Sequence, residues 1–177
     1  MKSAVKWVLR ILSLGPAILL LCVIFRFSAQ NGTASTGQSM RVGRLLVRIF
    51  NTVFSLGLSD EEILKEAARI DFPVRKIAHI SEYCALTLSF YLPLRVFHTP
   101  EKPLVFKRLK NGLWEMFITS AFAAVLCASF DEFHQYFVPG RSGQPIDILV
   151  DSVGICIATG VLILAYRRKL FGSRENR

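Results

Sequence analysis

The sequence predicts an all-α integral membrane protein: a four-helix bundle with an extracytoplasmic amphipathic helical insertion between its first two spans. Three observations predict it. The chain is 52% hydrophobic over 177 residues, with a mean hydropathy of +0.41, more apolar than an ordinary soluble domain. Four apolar runs each approach the ~20 residues needed to cross a bilayer. The net charge of +9 gathers where those runs stop, as membrane topology requires. The basic residues lack the aromatic interleaving of a strand-binding surface, so nucleic acid is not an expected partner. Residues 1–177 read as a single membrane domain, without internal repeats.

The first span is predicted over about residues 5–25, with a kink at Gly15-Pro16. Ser28-Ala29 offers the small residues of a signal cleavage site, but Arg26 sits near it and Phe27 occupies a position that favours small residues, so the run reads first as a membrane anchor and second as a cleaved signal. The outer loop, 26–75, opens with QNGTASTGQS, polar and turn-like. Next, Arg41, Arg44 and Arg48 stand at helical spacing opposite Val42, Leu45, Leu46, Ile49 and Phe50, predicting an amphipathic helix on the outer membrane surface or packed on the bundle. In SDEEILKEAARID, Ser59 and Glu62 form a capping-box pattern, and the helix they start is predicted to end before Pro73.

The second span is predicted over 79–97, the third over 113–130 and the fourth over 148–166, with Gly154 allowing close backbone approach. Cys22, Cys84, Cys127 and Cys156 fall one to each run and read as small hydrophobes between helices. Orientation follows from basic residues in short flanks. With both termini cytoplasmic, Lys2, Lys6 and Arg10 lie inside, as do Arg95, Lys102, Lys107, Arg108, Lys110 and the basic C-terminal tail. Asp60, Glu61, Glu62, Glu66, Asp71, Glu82, Asp131, Glu132, Asp147 and Asp151 then lie outside or at the outer boundary.

Polar residues converge on that boundary. His79, Glu82 and Tyr83 share one helix face in RKIAHISEY, behind Arg75 and Lys76. Asp131, Glu132, His134 and Gln135 end the third span, and Arg141 follows the Pro139-Gly140 turn. Asp147 and Asp151, at i and i+4, open the fourth. Ionisable groups at membrane depth normally face a protein interior or a wet cavity. They could form a self-neutralising clamp, with Arg75, Lys76 and Arg141 against Glu82, Asp131 and Asp147.

With FSAQNG at 27–32, RKxAHxxEY at 75–83 and DExHQxFVPGRxGxxxDxxxDxxG at 131–154, the chain resembles the VanZ-like family over most of its length. The resemblance implies a bacterial plasma membrane, and its naming member implies a link to teicoplanin resistance. It supplies no reaction. Many relatives carry Asn at the position of Asp151, so the Asp here adds a negative charge.

Two functional readings follow. In the first, the site handles a phosphorylated envelope lipid or cell-wall precursor. Arg75, Lys76 and Arg141 grip phosphate, with Tyr83 and Gln135 also contacting the ligand. Glu82, His79 and Asp131 are the acid–base candidates. Asp131, Glu132, Asp147 and Asp151 are candidate oxygen ligands for Mg²⁺ or Ca²⁺, although they match no known metal spacing. In the second, the same pocket binds a lipid headgroup or lipoglycopeptide without turnover. Membrane lipids are expected partners of either, and a unit of four helices is small enough to form a homo-oligomer.

Overall fold

The structure, a computed structural model, describes residues 2–97 and 112–175. Six helices and no strand occur among the described residues: α1 (Lys2–Ser28), α2 (Gly32–Val53), α3 (Asp60–Arg69), α4 (Asp71–Phe97), α5 (Gly112–Gln135) and α6 (Pro145–Glu175). Three of them are long and apolar enough to cross a membrane: α1 over Ala4–Ser28, α5 over Trp114–Gln135 and α6 over Pro145–Arg167. The helix α4 is also long, but its more polar N-terminal part, from Asp71 to Glu82, keeps it out of that set. His98 and the basic run Lys102–Lys110 lie outside the described residues.

The helix α4 is the hub, packing against α1, α5 and α6. Tyr83 and Leu86 of α4 are fully buried among Ile24 of α1, Ala124 and Ala128 of α5, and Ile155 of α6. Small residues let these helices approach. A Cβ on Gly154 would collide with the Ile80 carbonyl oxygen and sit 2.9 Å from that carbonyl carbon and 3.0 Å from the Cys84 nitrogen, so α6 lies directly on the α4 backbone, as the sequence predicts. Large apolar side chains point away from this core, including Ile11, Ile18, Phe122, Phe130, Ile157 and Leu164. Such a wide apolar exterior fits a membrane protein. Cys84 and Cys127 are half-buried, whereas Cys22 and Cys156 are exposed rather than packed between helices; all four are free thiols.

The segment expected to be turn-like is helical. The helix α2 begins at Gly32, because the Asn31 side chain caps it by accepting from the Ala34 N–H at 2.9 Å. Gly, Ser and Thr are weak helix formers, so tertiary anchors hold this turn. The Gly32 N–H donates to the Pro139 carbonyl at 3.0 Å, Gly32 has no room for a Cβ against Gly140, and the Ser39 hydroxyl bonds Asp71 of α4. Ser39, Gly43 and Val47 form the buried stripe of α2, and Val47 joins Ile63 and Ala67 of α3 in a small second core. Asn51 clamps the intervening loop through the Leu58 N–H and carbonyl, at 3.0 and 3.2 Å.

The helix α3 carries the expected capping box, Ser59 with Glu62, and the two serine hydrogen bonds hold the Glu62 carboxyl below its ordinary pKa. It ends before Pro73, which instead occupies the first turn of α4, where a missing N–H costs nothing. Consequently α4 begins two turns earlier than the predicted span, and Arg75, Lys76 and His79 are already helical.

Replacing Gly154 tests the central contact. Gly154→Val is expected to destabilise by ~1–3 kcal/mol or more, because the obstructing atoms are backbone and cannot rotate away. Gly160→Ala, on the same helix with nothing within 4 Å of its Cβ position, is expected to be neutral or slightly stabilising. Thermal unfolding of the purified proteins in detergent checks the pair, and equal effects would contradict the packing argument.

Candidate polar centre and its staples

The sequence-predicted polar residues divide into two groups. The first joins helix ends. Lys76 pairs with Asp147, tying the start of α4 to the start of α6, and its ammonium lies 5.3 Å from the Phe72 ring centroid. Arg75 pairs with Asp71 one turn earlier on α4, at 3.0 Å. Glu132 accepts from the Gln144 N–H at 3.0 Å, bracing the loop that leads into α6. A Cβ on Gly143 would meet the Glu132 carbonyl oxygen, so only glycine permits this fold-back. Gly140, at φ +74°, makes the preceding turn.

Arg141 is the most heavily committed of these. Its Nη2 donates to the Phe27 carbonyl at 2.8 Å and its Nε to the Gln30 carbonyl at 3.2 Å. Its Nη1 donates to the Gln135 Oε1 at 3.0 Å. One guanidinium therefore satisfies carbonyls at the C-terminal end of α1, where a cation is favourable, and ties them to α5. Burial draws the Arg141 pKa below its ordinary value, and the nearby Asp131 carboxylate opposes that shift. Gln135 passes the connection on: its Nε2 donates to the Asp131 Oδ2 at 2.8 Å.

The second group is an open centre. His79, Glu82 and Tyr83 of α4, Asp131 of α5 and Asp151 of α6 lie within electrostatic reach of one another. Tyr83, Asp131 and Asp151 are buried, Asp151 to 1% exposure, and His79 and Glu82 are half-buried. The His79 Nδ1 approaches the Asp151 Oδ1 at 3.5 Å, an ion-pair distance without hydrogen-bond geometry. The Tyr83 hydroxyl, the Asp131 Oδ1 and both Asp151 oxygens have no hydrogen-bond partner, although each is buried. Buried polar atoms are nearly always paired, so such a cluster calls for a bound polar group or water.

The centre does not match a metal site. Among the described residues, no three His, Cys, Asp or Glu side chains are arranged to hold an ion. Asp131, Glu132, Asp147 and Asp151 are not a common ligand set, because Lys76 holds Asp147 and the Gln144 N–H holds Glu132. His134 lies apart, stacked on Phe25 with ring centroids 5.0 Å apart.

One feature was not apparent from the sequence. A groove of ≈ 620 Å³ runs along α2, lined by Thr33, Thr36, Gly37, Arg41 and Arg44, with Arg75 and Gly140 on its far side. The spacing 33, 36, 37, 41, 44 marks one helical face, but the turn-like composition of residues 30–39 masks it in the sequence.

Fold and centre together define an all-helical protein with the apolar helices of a membrane protein and a partly unpaired polar cluster held where three helices meet. The chain belongs to the VanZ/LLP1 family, whose model matches residues 14–166. No curated protein and no solved structure matches it.

Arg141 is expected to act as a staple. Arg141→Lys keeps the charge but loses the three-way fork, and should lower stability by ~1–3 kcal/mol. Thermal unfolding reads this directly, and an unchanged melting temperature would return Arg141 to the ligand-binding candidates.

Proposed function

We propose that the protein is a four-span membrane protein of the bacterial envelope that handles a phosphorylated lipid or cell-wall precursor at the outer membrane face. The observation that carries this reading is the cluster of buried, unpaired polar atoms on Tyr83, Asp131 and Asp151 beside Glu82 and His79. A purely structural network would pair these atoms, as the surrounding staples are paired. The carboxylates accept hydrogen bonds from hydroxyl or amine groups of a headgroup, while Tyr83 and His79 donate to its oxygens. Glu82 has no hydrogen-bond partner among the described residues and adjoins His79 electrostatically, so these two are the candidates for moving a proton.

In this reading α4 is the fourth span. It is shielded by α1, α5 and α6, so its polar face meets protein instead of lipid and it tolerates a lower hydropathy. Both termini are cytoplasmic. The helix α2 lies on the outer surface with the exposed Val42, Leu45, Leu46, Ile49, Phe50 and Val53 toward the bilayer. The link to teicoplanin resistance enters as a cellular assay for the same site.

Glu82→Gln and Asp131→Asn, each close in size to the native residue, are expected to abolish teicoplanin tolerance conferred by the wild-type protein in a sensitive host. Native lipids co-purifying with each variant, identified by mass spectrometry, separate two mechanisms. Retained lipid points to turnover, and lost lipid points to recognition alone. Wild-type function in both variants would overturn the reading.

Topology has its own test. Alkaline phosphatase inserted into the loop after Phe54 should be active, and a fluorescent protein fused after Arg177 should fluoresce in the cytoplasm. The opposite pattern would invert the assignment.

A further inference from the structure

We infer that the groove along α2 is a phosphate site, separate from the acidic centre, in which Arg41, Arg44 and Arg75 hold the phosphate of an anionic ligand. The inference rests on the reading that the protein handles a phosphorylated ligand, and it assigns the phosphate to residues other than Lys76 and Arg141.

Charge is the first reason. The groove of ≈ 620 Å³ brings three guanidinium side chains from two helices to one cleft. Asp71 offsets part of one of them, through its 3.0 Å pair with Arg75. Arg41 and Arg44 have no hydrogen bond or ion pair among the described residues. Arg48, one turn further along α2, differs: it pairs with Asp60 of α3 at 3.1 Å and does not line the groove. Within the Arg41, Arg44 and Arg48 series of α2, the uncommitted arginines are therefore those that face the cleft.

Shape is the second reason. The groove lining N-terminal to Arg41 and Arg44 on α2 is made of Thr33, Thr36 and Gly37, so backbone is accessible and hydroxyls are available as further donors. A bulkier side chain at these positions would fill the space. The far wall is held in place by the Gly32 N–H bond to the Pro139 carbonyl and by the close approach of Gly32 to Gly140. Planar guanidinium groups in a preformed cleft match phosphate oxygens bidentately.

Elimination is the third reason. The acidic centre is lined mainly by carboxyl groups, since Glu82, Asp131 and Asp151 lie near one another there, and among the described residues it holds no guanidinium for phosphate. Lys76 is held by Asp147, and Arg141 donates through all three of its nitrogens to protein acceptors. Arg75 joins the two regions along one face of α4, because Arg75, His79 and Glu82 stand at i, i+4 and i+7. A ligand with its phosphate in the groove can thus extend its neutral or cationic part toward the acidic centre.

The test uses the purified full-length protein in detergent. Short-chain phosphatidic acid, short-chain phosphatidylcholine and inorganic phosphate serve as probes, with binding followed by native mass spectrometry and by thermal shift. Phosphatidic acid is expected to bind more tightly than phosphatidylcholine. Arg41→Gln with Arg44→Gln should weaken phosphatidic acid binding by about tenfold for each arginine removed. Arg48→Gln should leave it unchanged. The cellular outcome for Glu82→Gln is read separately, which distinguishes failure of the groove from failure of the acidic centre. Arginine-dependent binding of phosphatidic acid that inorganic phosphate does not displace makes the source a lipid headgroup. Equal, arginine-dependent binding of inorganic phosphate makes the source a soluble phosphate, and the site stands. Phosphatidic acid binding indifferent to the double substitution in a protein of unchanged melting temperature would overturn the inference, whatever the cellular outcome for Glu82→Gln.

Discussion

The contact of Gly154 with the α4 backbone governs the polar centre. Because no side chain intervenes, α6 rests against the Ile80 carbonyl and the Cys84 nitrogen. Asp151, one turn earlier on α6, is thereby carried to within 3.5 Å of the His79 imidazole. The same approach buries Tyr83 completely and brings its hydroxyl toward Asp131 and Asp151. A larger residue at Gly154 would push the helices apart by roughly the radius of a methyl group, and electrostatic coupling in a low-dielectric interior falls steeply with such separations.

Charge around that contact is spent in two ways. At the rim, ion pairs and charge-assisted hydrogen bonds join the ends of helices that are distant in sequence: Lys76 to Asp147, Arg141 to Phe27 and Gln30, Glu132 to the Gln144 N–H. These pairs are half-exposed or supported by neighbouring backbone, so their desolvation penalty is moderate. At the centre, Asp131 has one oxygen paired and one free, and Asp151 has neither hydrogen-bonded. Leaving a buried polar atom unpaired costs ~1–3 kcal/mol. Ser28 Oγ, Gln30 Oε1 and His134 Nε2 are also unpaired nearer the rim, but the centre gathers four such atoms on the three residues Tyr83, Asp131 and Asp151, each from a different helix.

Much of this was legible in the sequence. The length of the apolar runs pointed to long helices, and the i, i+3, i+4 spacing of His79, Glu82 and Tyr83 gave one wall of the centre. The Ser59–Glu62 capping box and the close approach at Gly154 were also readable, because each depends on a local pattern. What was hidden depends on tertiary partners. QNGTASTGQS has the composition of a turn, and it is helical because Gly32 is fastened to Pro139 and Ser39 to Asp71, positions distant along the chain. Arg141 has the chemistry of a phosphate ligand, and only the position of α1's last carbonyls shows it to be a staple. Types of residue were legible, while their commitments were not.

The turn at Pro139, Gly140 and Arg141 links the two regions mechanically. Pro139 accepts from the first residue of α2, Gly140 packs on that residue, and Arg141 holds the end of α1 and, through Gln135, orients Asp131. The loop between α1 and α2 is thus gripped on both sides by three consecutive residues. The helix α2, which carries the arginine groove, is fastened to the same turn that reaches Asp131 through Arg141 and Gln135. The second core of Val47, Ile63 and Ala67 packs α3 onto α2 beside this attachment. Groove and centre are therefore joined by short backbone contacts and one guanidinium, with no long flexible segment between them.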